Sequence, residues 1–475
     1  MADFWKKHGR EYPTLHKDIK CRAAVIGGGL TGVLLASRLA ERGIDPALFD
    51  AGRIGGGKTA RCTAKVTLAH GTAYSDIARR VSTEAAKKYA AANMAGLEYV
   101  ASLEGEESRR DMYLYAMYGE RKLRRELDVM LECGIDAEHV AGADVPLPVD
   151  SVGAIRLQDQ LAIDPVQLCE RLCEAGHFKI YENSPAEHVE RHGFTCAGHR
   201  VHADFVAVCT NYPVHVPHSG SPLKLSRKSS VAVAFRSAEG FPMDDVMAFG
   251  VDGGYGYRYA EREGERLLIV SGETGRRVPP GAVERIVGTV QRFAPEAEVV
   301  TSWVNNDTYT HDGILYAGEL AGGIYVACGY SAWGMTNAAA AAVILENRIL
   351  GHNLWYDDVF SPRRNFLRGG AAEFAEHVCV TARGEVKNLA SPPDRYVSSV
   401  REGEAAIVNH HGRRVGAYRE DGGEVHLVSL KCPHLGCSLE WNDVDKTWDC
   451  PCHGSRFSYR GECISNPAER GIAID

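Results

Sequence analysis

The first fifty residues carry two different spacings of apolar positions. Ala23 to Ile26 is a short apolar run that reads as a buried strand, and after a glycine turn the stretch with Val33, Leu34, Ser37 and Leu39 reads as a helix. A second short strand ends at Asp50, so residues 21–50 predict one βαβ unit. Further along, Glu120 to Ile135 reads as an amphipathic helix through Leu123, Leu127 and Leu131, and VAVAFR (231–236) and ERLLIVSGE (265–273) read as strands. A strand, a glycine turn and a long Ala-rich helix follow between 323 and 350, and beyond 396 the chain turns to short strands and turns. The pattern predicts an α/β body followed by an all-β module.

Gly27, Gly29 and Gly32 have the G-x-G-x-x-G spacing between that first strand and helix. The spacing permits a tight turn, close approach of backbone to a pyrophosphate, and close packing of helix on strand. The pyrophosphate would lie over the helix N-terminus, where unpaired N–H groups and the helix dipole favour an anion. Asp50, about twenty residues on, is placed to bind a ribose hydroxyl pair. GRIGGGKT at 52–59 fits the phosphate-loop pattern formally, but ARCTAKVT after it lacks helical periodicity, and the strand before it already serves the βαβ unit. It reads instead as a loop crossing close to the same cofactor.

Composition narrows the classes. With 45% apolar and 24% charged residues over 475 positions, the chain should fold into two to four soluble domains. A net charge of −8 without a Lys/Arg block argues against nucleic acid. The polar N-terminus does not read as a secretory signal, and the longest apolar run, Ala338 to Leu345, is far short of the ~20 residues that span a bilayer. No membrane span and a cytoplasmic location are therefore expected. Of fourteen cysteines, five (Cys432, Cys437, Cys450, Cys452, Cys463) cluster in 432–463; the other nine are scattered and read mostly as small buried hydrophobes, as does Cys463.

That cluster carries the most specific chemistry. The stretch from Lys431 holds C-x-H-x-x-C and C-x-C-H, with fifteen residues between His434 and Cys450, followed by Gly-Ser. This resembles a Rieske [2Fe-2S] domain, with Cys432, His434, Cys450 and His453 as metal ligands. Two thiolates on one iron and two neutral imidazoles on the other raise the reduction potential into the range of about −150 to +300 mV. Tetrahedral zinc is the competing metal for two Cys and two His, but the C-P-C-H-G-S context is not a zinc-finger spacing. In the cytochrome bc-type subgroup the counterparts of Cys437 and Cys452 form a disulfide bracing the cluster loops, and the counterpart of Ser455 donates to a cluster sulfur. Phe457 stands where that subgroup has a tyrosine, so one sulfur-directed donor is lost.

The strand ending at Cys328, with Gly329 and then Gly334-Met335-Thr336 opening a helix, resembles the closing flavin motif of the D-amino-acid oxidase and glycine oxidase superfamily. LAIDPVQLCERLCEAG (161–176), ADFVAVCTNYP (203–213) and WVNNDTYTHDGILYAGE (303–319) resemble further parts of that family in order. The resemblance implies an α/β, Rossmann-like FAD-binding domain with an inserted α+β substrate domain, then the all-β Rieske domain. Its boundaries would be 1–365 for the flavin part (FAD-binding about 20–75, 150–215 and 305–350; substrate-binding about 75–150 and 215–305), a linker at 366–395 with a break at Pro392-Pro393, and 396–475 for the iron–sulfur part.

FAD would rest on Gly27, Gly29, Gly32, Asp50, Gly329, Gly334, Met335 and Thr336. Substrate-pocket candidates are Tyr257, Arg258 and Trp333, with Arg258 as a clamp for a substrate carboxylate. The implied function is an FAD-dependent oxidoreductase acting on the CH–NH or CH–NH2 group of a small amine or amino-acid-like substrate. Electrons would pass through the cluster and leave at an exposed His434/His453 edge for an external one-electron acceptor. Alternatives are an NAD(P)H-linked flavin/Rieske reductase feeding a partner and a redox-sensing module. No side chain stands out as an acid or base.

Overall fold

The computed structural model describes the chain apart from residues 1, 2, 7, 8, 214, 215, 217–219, 388–392 and 475, and the side chains of 385–387. The break expected at Pro392-Pro393 therefore lies partly outside the described residues. In the first of its sheets the strands run in the order Tyr316–Ala321, Ile324–Cys328, His199–Asn211, Ile19–Ile26, Pro46–Phe49, Lys179–Tyr181. All these neighbours are parallel except the first pair. Ala23 and Val25 pack into the core with the helix Leu30–Glu41, while Ala24 and Ile26 pack on the opposite face with Phe49, Phe194 and Val326. A parallel strand covered on both faces shows no polar alternation, which is why it reads as one apolar run.

The glycine turn is as tight as its spacing implies. Gly27 has φ +106° with its Cβ position 2.6 Å from Cys209 O, and a Cβ on Gly32 would fall 1.9 Å from Gly27 O. Only glycine fits either place.

A second sheet runs Glu298–Thr310, Leu225–Arg236, Glu265–Gly275, Gly256–Arg262, Met247–Gly250, Arg109–Ala116, Gly153–Ala162, Lys65–Val66. Gly153–Ala162 falls within the stretch 150–215, yet it pairs antiparallel with Arg109–Ala116 and so lies in this sheet. The expected helix at 120–135 spans Glu120–Glu132, with Leu123 and Met130 buried and Leu131 51% exposed, so its buried face ends on Met130 and not on Leu131.

The stretch 366–395 is not a loose linker. It contains the helix Ala371–Lys387, whose Phe374 packs on His311 and Phe366. Ala and Glu, both strong helix formers, supply seven of its 17 residues. Beyond it come two four-stranded sheets, one of Ala405–His410, Arg413–Arg419, Val425–Ser429 and Ala473–Ile474, the other of Glu440–Asn442, Thr447–Asp449, Arg456–Ser458 and Cys463–Ser465. Among the scattered cysteines Cys379 is exposed and Cys62 half-buried; the rest are buried. No described helix is long and apolar enough to cross a membrane.

The helix Gly334–Ile349 is buried along almost its whole length and joins the two ends of the nucleotide region. Its Glu346, 1% exposed, takes Arg38 and, at 2.8 Å, Arg42 from the helix Leu30–Glu41. Glu346→Ala leaves Arg38 without its partner in the interior. We expect a loss of about 2–3 kcal/mol in chemical denaturation, below the roughly 3–5 kcal/mol of a fully buried pair because Arg42 stays mostly in water.

Candidate functional site

Two helices open into one cavity. The N-termini of Leu30–Glu41 and Gly334–Ile349 lack capping by their own N-cap side chains, and both border a cavity of about 1420 Å³ lined by Gly27, Gly29, Asp50, Trp333, Gly334 and Met335, among others. Unpaired N–H groups at such ends favour an anion or an electron-rich ring edge. Asp50 accepts from Gly28 N and Gly52 N, both at 2.7 Å. The loop 52–59 lies across the first helix end: Gly55 N donates to Gly28 O at 2.8 Å and Leu30 N to Thr59 Oγ1 at 3.0 Å. The volume exceeds the ~300–1,000 Å³ of ordinary ligand pockets, which leaves room for a dinucleotide and a substrate together.

Other expected residues shape this cradle from behind. Gly32 brings the first turn of its helix against Gly27 O, Gly329 turns the chain at φ +77°, and Thr336 is buried with its hydroxyl bonded to both Thr67 N and Thr67 O. Trp333 lines the cavity in an aromatic group, 4.9 Å from His70 and 5.1 Å from Phe249 between ring centres. Burial pushes His70 down to about 3, so that ring is neutral.

Tyr257 and Arg258 are elsewhere. Tyr257 packs behind the second sheet with Tyr115, Val233 and Val270. Arg258 is 4% exposed, donates through Nε and Nη1 to the carbonyls of Tyr259, Thr63, Ala64 and Ile163, and does not line the cavity. Adjacent strand residues point to opposite faces, and the loop 61–64 covers the one facing the cavity. Several cations do border the cavity, among them Lys58, Lys65, Lys228 and Arg276. Lys228 stands 4.8 Å over the Tyr309 ring and takes no ion pair among the described residues; Arg276 pairs with Glu376 of the helix Ala371–Lys387. The signal for Lys228 was the alternation Ser226, Lys228, Ser230, Ala232, all of which line the cavity.

In the C-terminal sheets Cys432 and Cys450 are buried, unbridged and side by side, while Cys437 and Cys452 form a disulfide. The His434 and His453 rings stand 5.0 Å apart, nearly perpendicular. His434 Nδ1 is buried without a partner. His453 Nε2 donates to Pro222 O at 3.1 Å, which leaves its Nδ1 as the nitrogen available to a metal. Ser455 is fully buried beside the Cys432 thiol, its hydroxyl accepting from Ala468 N at 3.0 Å. Two free thiols and two adjacent imidazoles are the donor set a mixed thiolate–imidazole iron pair requires.

The histidine edge is not the exposed outlet expected from the sequence. His453 is 4% exposed, its ring 6.1 Å from Tyr212 and 5.2 Å from His377, and His434 lies 5.9 Å from Tyr212. Tyr212 and Pro222 on one side and His377 of the helix Ala371–Lys387 on the other pack against it. Beneath this contact Arg227 donates to Cys450 O at 2.6 Å and pairs with Asp449 at 3.1 Å. Arg456 bridges Asp449 and Asp445 at 3.0 and 2.5 Å, and Arg61 reaches Asp445 at 3.3 Å. All five side chains are less than a tenth exposed. Burial alone would raise the Asp449 carboxyl, but Arg456 and Arg227 outweigh it and hold it well below the usual range.

Comparison with known proteins gives a consistent picture. Residues 22–348 match the family model "FAD dependent oxidoreductase", and 392–474 match "Rieske [2Fe-2S] domain". The chain is 30% identical over 481 residues to the putative Rieske 2Fe-2S iron-sulfur protein YhfW of Bacillus subtilis (strain 168), covering 96% of this chain and 94% of that one. The cytochrome b6-f complex iron-sulfur subunit of Chlorobaculum thiosulfatiphilum is 34% identical over 115 residues, 22% of this chain and 64% of its own. Among solved structures, glycine oxidase from Geobacillus kaustophilus aligns with TM-score 0.57 at 19% identity, covering 73% of this chain and 99% of its own. L-proline dehydrogenase from P. horikoshii aligns with TM-score 0.58 at 15% identity, over 74% and 98%.

Removing Arg227 tests the contact beneath the cluster site. Arg227→Met keeps most of the side-chain volume but leaves Asp449 and Cys450 O short of a donor. A loss of about 3–5 kcal/mol is expected, read by denaturation followed at the iron–sulfur absorbance.

Proposed function

The chain belongs to the FAD-dependent oxidoreductase family and carries a Rieske [2Fe-2S] domain behind it, and from that premise we propose that it dehydrogenates a small amine or amino-acid-like substrate and sends the electrons, one at a time, through its own cluster to an external acceptor. The observation that carries this reading is the docking of His434 and His453 against Tyr212, next to Asn211 in the wall of the cavity.

Bound FAD would supply a two-electron hydride acceptor, and the cluster a one-electron relay of raised potential. The chain's own residues supply the rest. Gly27, Gly29, Asp50 and the two helix N-termini hold the dinucleotide; Gly334 and Met335 border its reacting end. Cys432, Cys450, His434 and His453 hold the irons, with Ser455 beside a sulfur ligand and the Cys437–Cys452 disulfide bracing both loops. Trp333, His70 and Phe249 exclude water from the apolar part of the substrate. Lys228, with Arg276 near it, takes the role once given to Arg258 and holds a carboxylate. Tyr212 and the Arg227–Cys450 hydrogen bond join the cavity wall to the ligand set. The exit to the acceptor lies on the His434 side, where Leu435 is 45% exposed, because His453 faces inward.

Anaerobic titration with a panel of amines and amino acids, with flavin absorbance and cluster EPR read together, tests this. Support is bleaching by a panel member with a reduced-cluster signal. Bleaching by NADH alone, or oxygen consumed stoichiometrically with substrate while the cluster stays oxidised, overturns it. With the active substrate, Lys228→Met should raise the dissociation constant of a carboxylate-bearing substrate by roughly 10- to 100-fold, the worth of a hydrogen bond to a charged group. The limiting rate of flavin bleaching should change only a few-fold.

A further inference from the structure

Lys65 opens the two-residue strand Lys65–Val66 and is 9% exposed, its ammonium end bordering the cavity with Phe249 and Ser271. Nζ donates to Ala248 O at 2.8 Å and lies against Gly256, where a Cβ would stand 2.8 Å from it and 2.9 Å from Ser271 Oγ. The site therefore needs glycine at 256 to admit this side chain. No carboxylate pairs with Lys65 among the described residues. The charged group bearing on it is Arg258 of the strand Gly256–Arg262, itself tied to backbone carbonyls. Of the other titratable groups lining the cavity, His70 at about 3 and the Cys62 thiol, pushed up by burial to about 12, are uncharged, while burial pushes Lys58 down and Asp307 up to about 6.

We propose that Lys65 is the base that takes a proton from the ammonium group of the amine substrate, freeing the nitrogen lone pair that drives hydride loss from the neighbouring carbon. The proposal rests on the amine-oxidation reading. In balance, Lys65–NH2 and R2CH–NH3+ give Lys65–NH3+ and R2CH–NH2. The C–H electron pair and its hydrogen then leave together for the oxidised FAD as hydride, and the nitrogen lone pair becomes the second bond of the iminium product. A protonated amine cannot give up hydride, so the oxidation needs this proton removed first. An isolated buried ammonium is costly and tends to neutralise. Burial first, and Arg258 second, bring Lys65 down to about 7, so the amine form is available at neutral pH.

Two measurements test it in the holoprotein. In protein labelled with [13Cε]lysine, the resonance absent from Lys65→Met should titrate near pH 7; an inflection above pH 9 overturns the proposal. With an amine that bleaches the wild type anaerobically, the second-order bleaching rate should fall as pH drops below about 7. Lys65→Met and Lys65→Arg, loaded with FAD and cluster, should both lose about 10²- to 10⁴-fold and that acid limb, the usual worth of a general base. Added methylamine should restore part of the rate to Lys65→Met. Rescue by Lys65→Arg, or bleaching by Lys65→Met within threefold of wild type, overturns the base. A wild type that no amine bleaches overturns the oxidation reading itself.

Discussion

A buried lattice of Arg61, Arg227 and Arg456 with Asp445 and Asp449 holds the iron–sulfur module to the flavin body. Each charge taken out of water costs several kcal/mol, which the partners must offset, so such a lattice adds little net stability over a well-packed apolar contact. What it sets is geometry. Guanidinium forks accept only a few arrangements of carboxylate around them, and a shift of the module by a few ångströms would leave charges unpaired in the interior. The lattice thus selects one docking pose. Arg227 adds a donor to Cys450 O, which ties that pose to a proposed cluster ligand.

From that pose the functional organisation follows. The same strand that carries Arg227 presents Ser226, Lys228 and Ser230 to the cavity, so one residue step separates the substrate side from the iron–sulfur side. Ser465, Asn466 and Ala468 of the C-terminal module also line the cavity, and Asn466 donates to Thr210 O at 3.3 Å. The module is therefore part of the wall around the cofactor space. The helix Ala371–Lys387 completes the arrangement, with His377 against His453 and Gly384 O accepting from Ser438 N at 3.2 Å.

Local chemistry was legible in the sequence wherever close packing or a donor set demands particular residue types at fixed spacing. Gly27 and Gly32 are forced by backbone contacts, and the Cys432/His434 and Cys450/His453 pairs lie together because each pair sits on one tight loop. Side-chain direction across a long sheet was not legible. Arg258 and Lys228 are both cations on strands of one sheet facing the same core. Only the loop 61–64, which covers one and not the other, decides which meets the cavity. The helix Ala371–Lys387 was hidden because its stability comes from docking through few side chains, and the burial of the His453 edge depends on contacts with residues about 230 positions away. Lys65 gave no signal, since what makes it a base is the absence of a carboxylate around it.

The central claim is that this docked pose makes electron transfer from flavin to cluster an event within one chain. Its most direct test is rapid-mixing reduction under anaerobic conditions, with flavin and cluster absorbance followed separately while protein concentration is varied tenfold. The account predicts a cluster phase whose rate does not depend on protein concentration and follows flavin reduction in each molecule. A cluster phase that scales with protein concentration, or a cluster left oxidised beside reduced flavin, would contradict it.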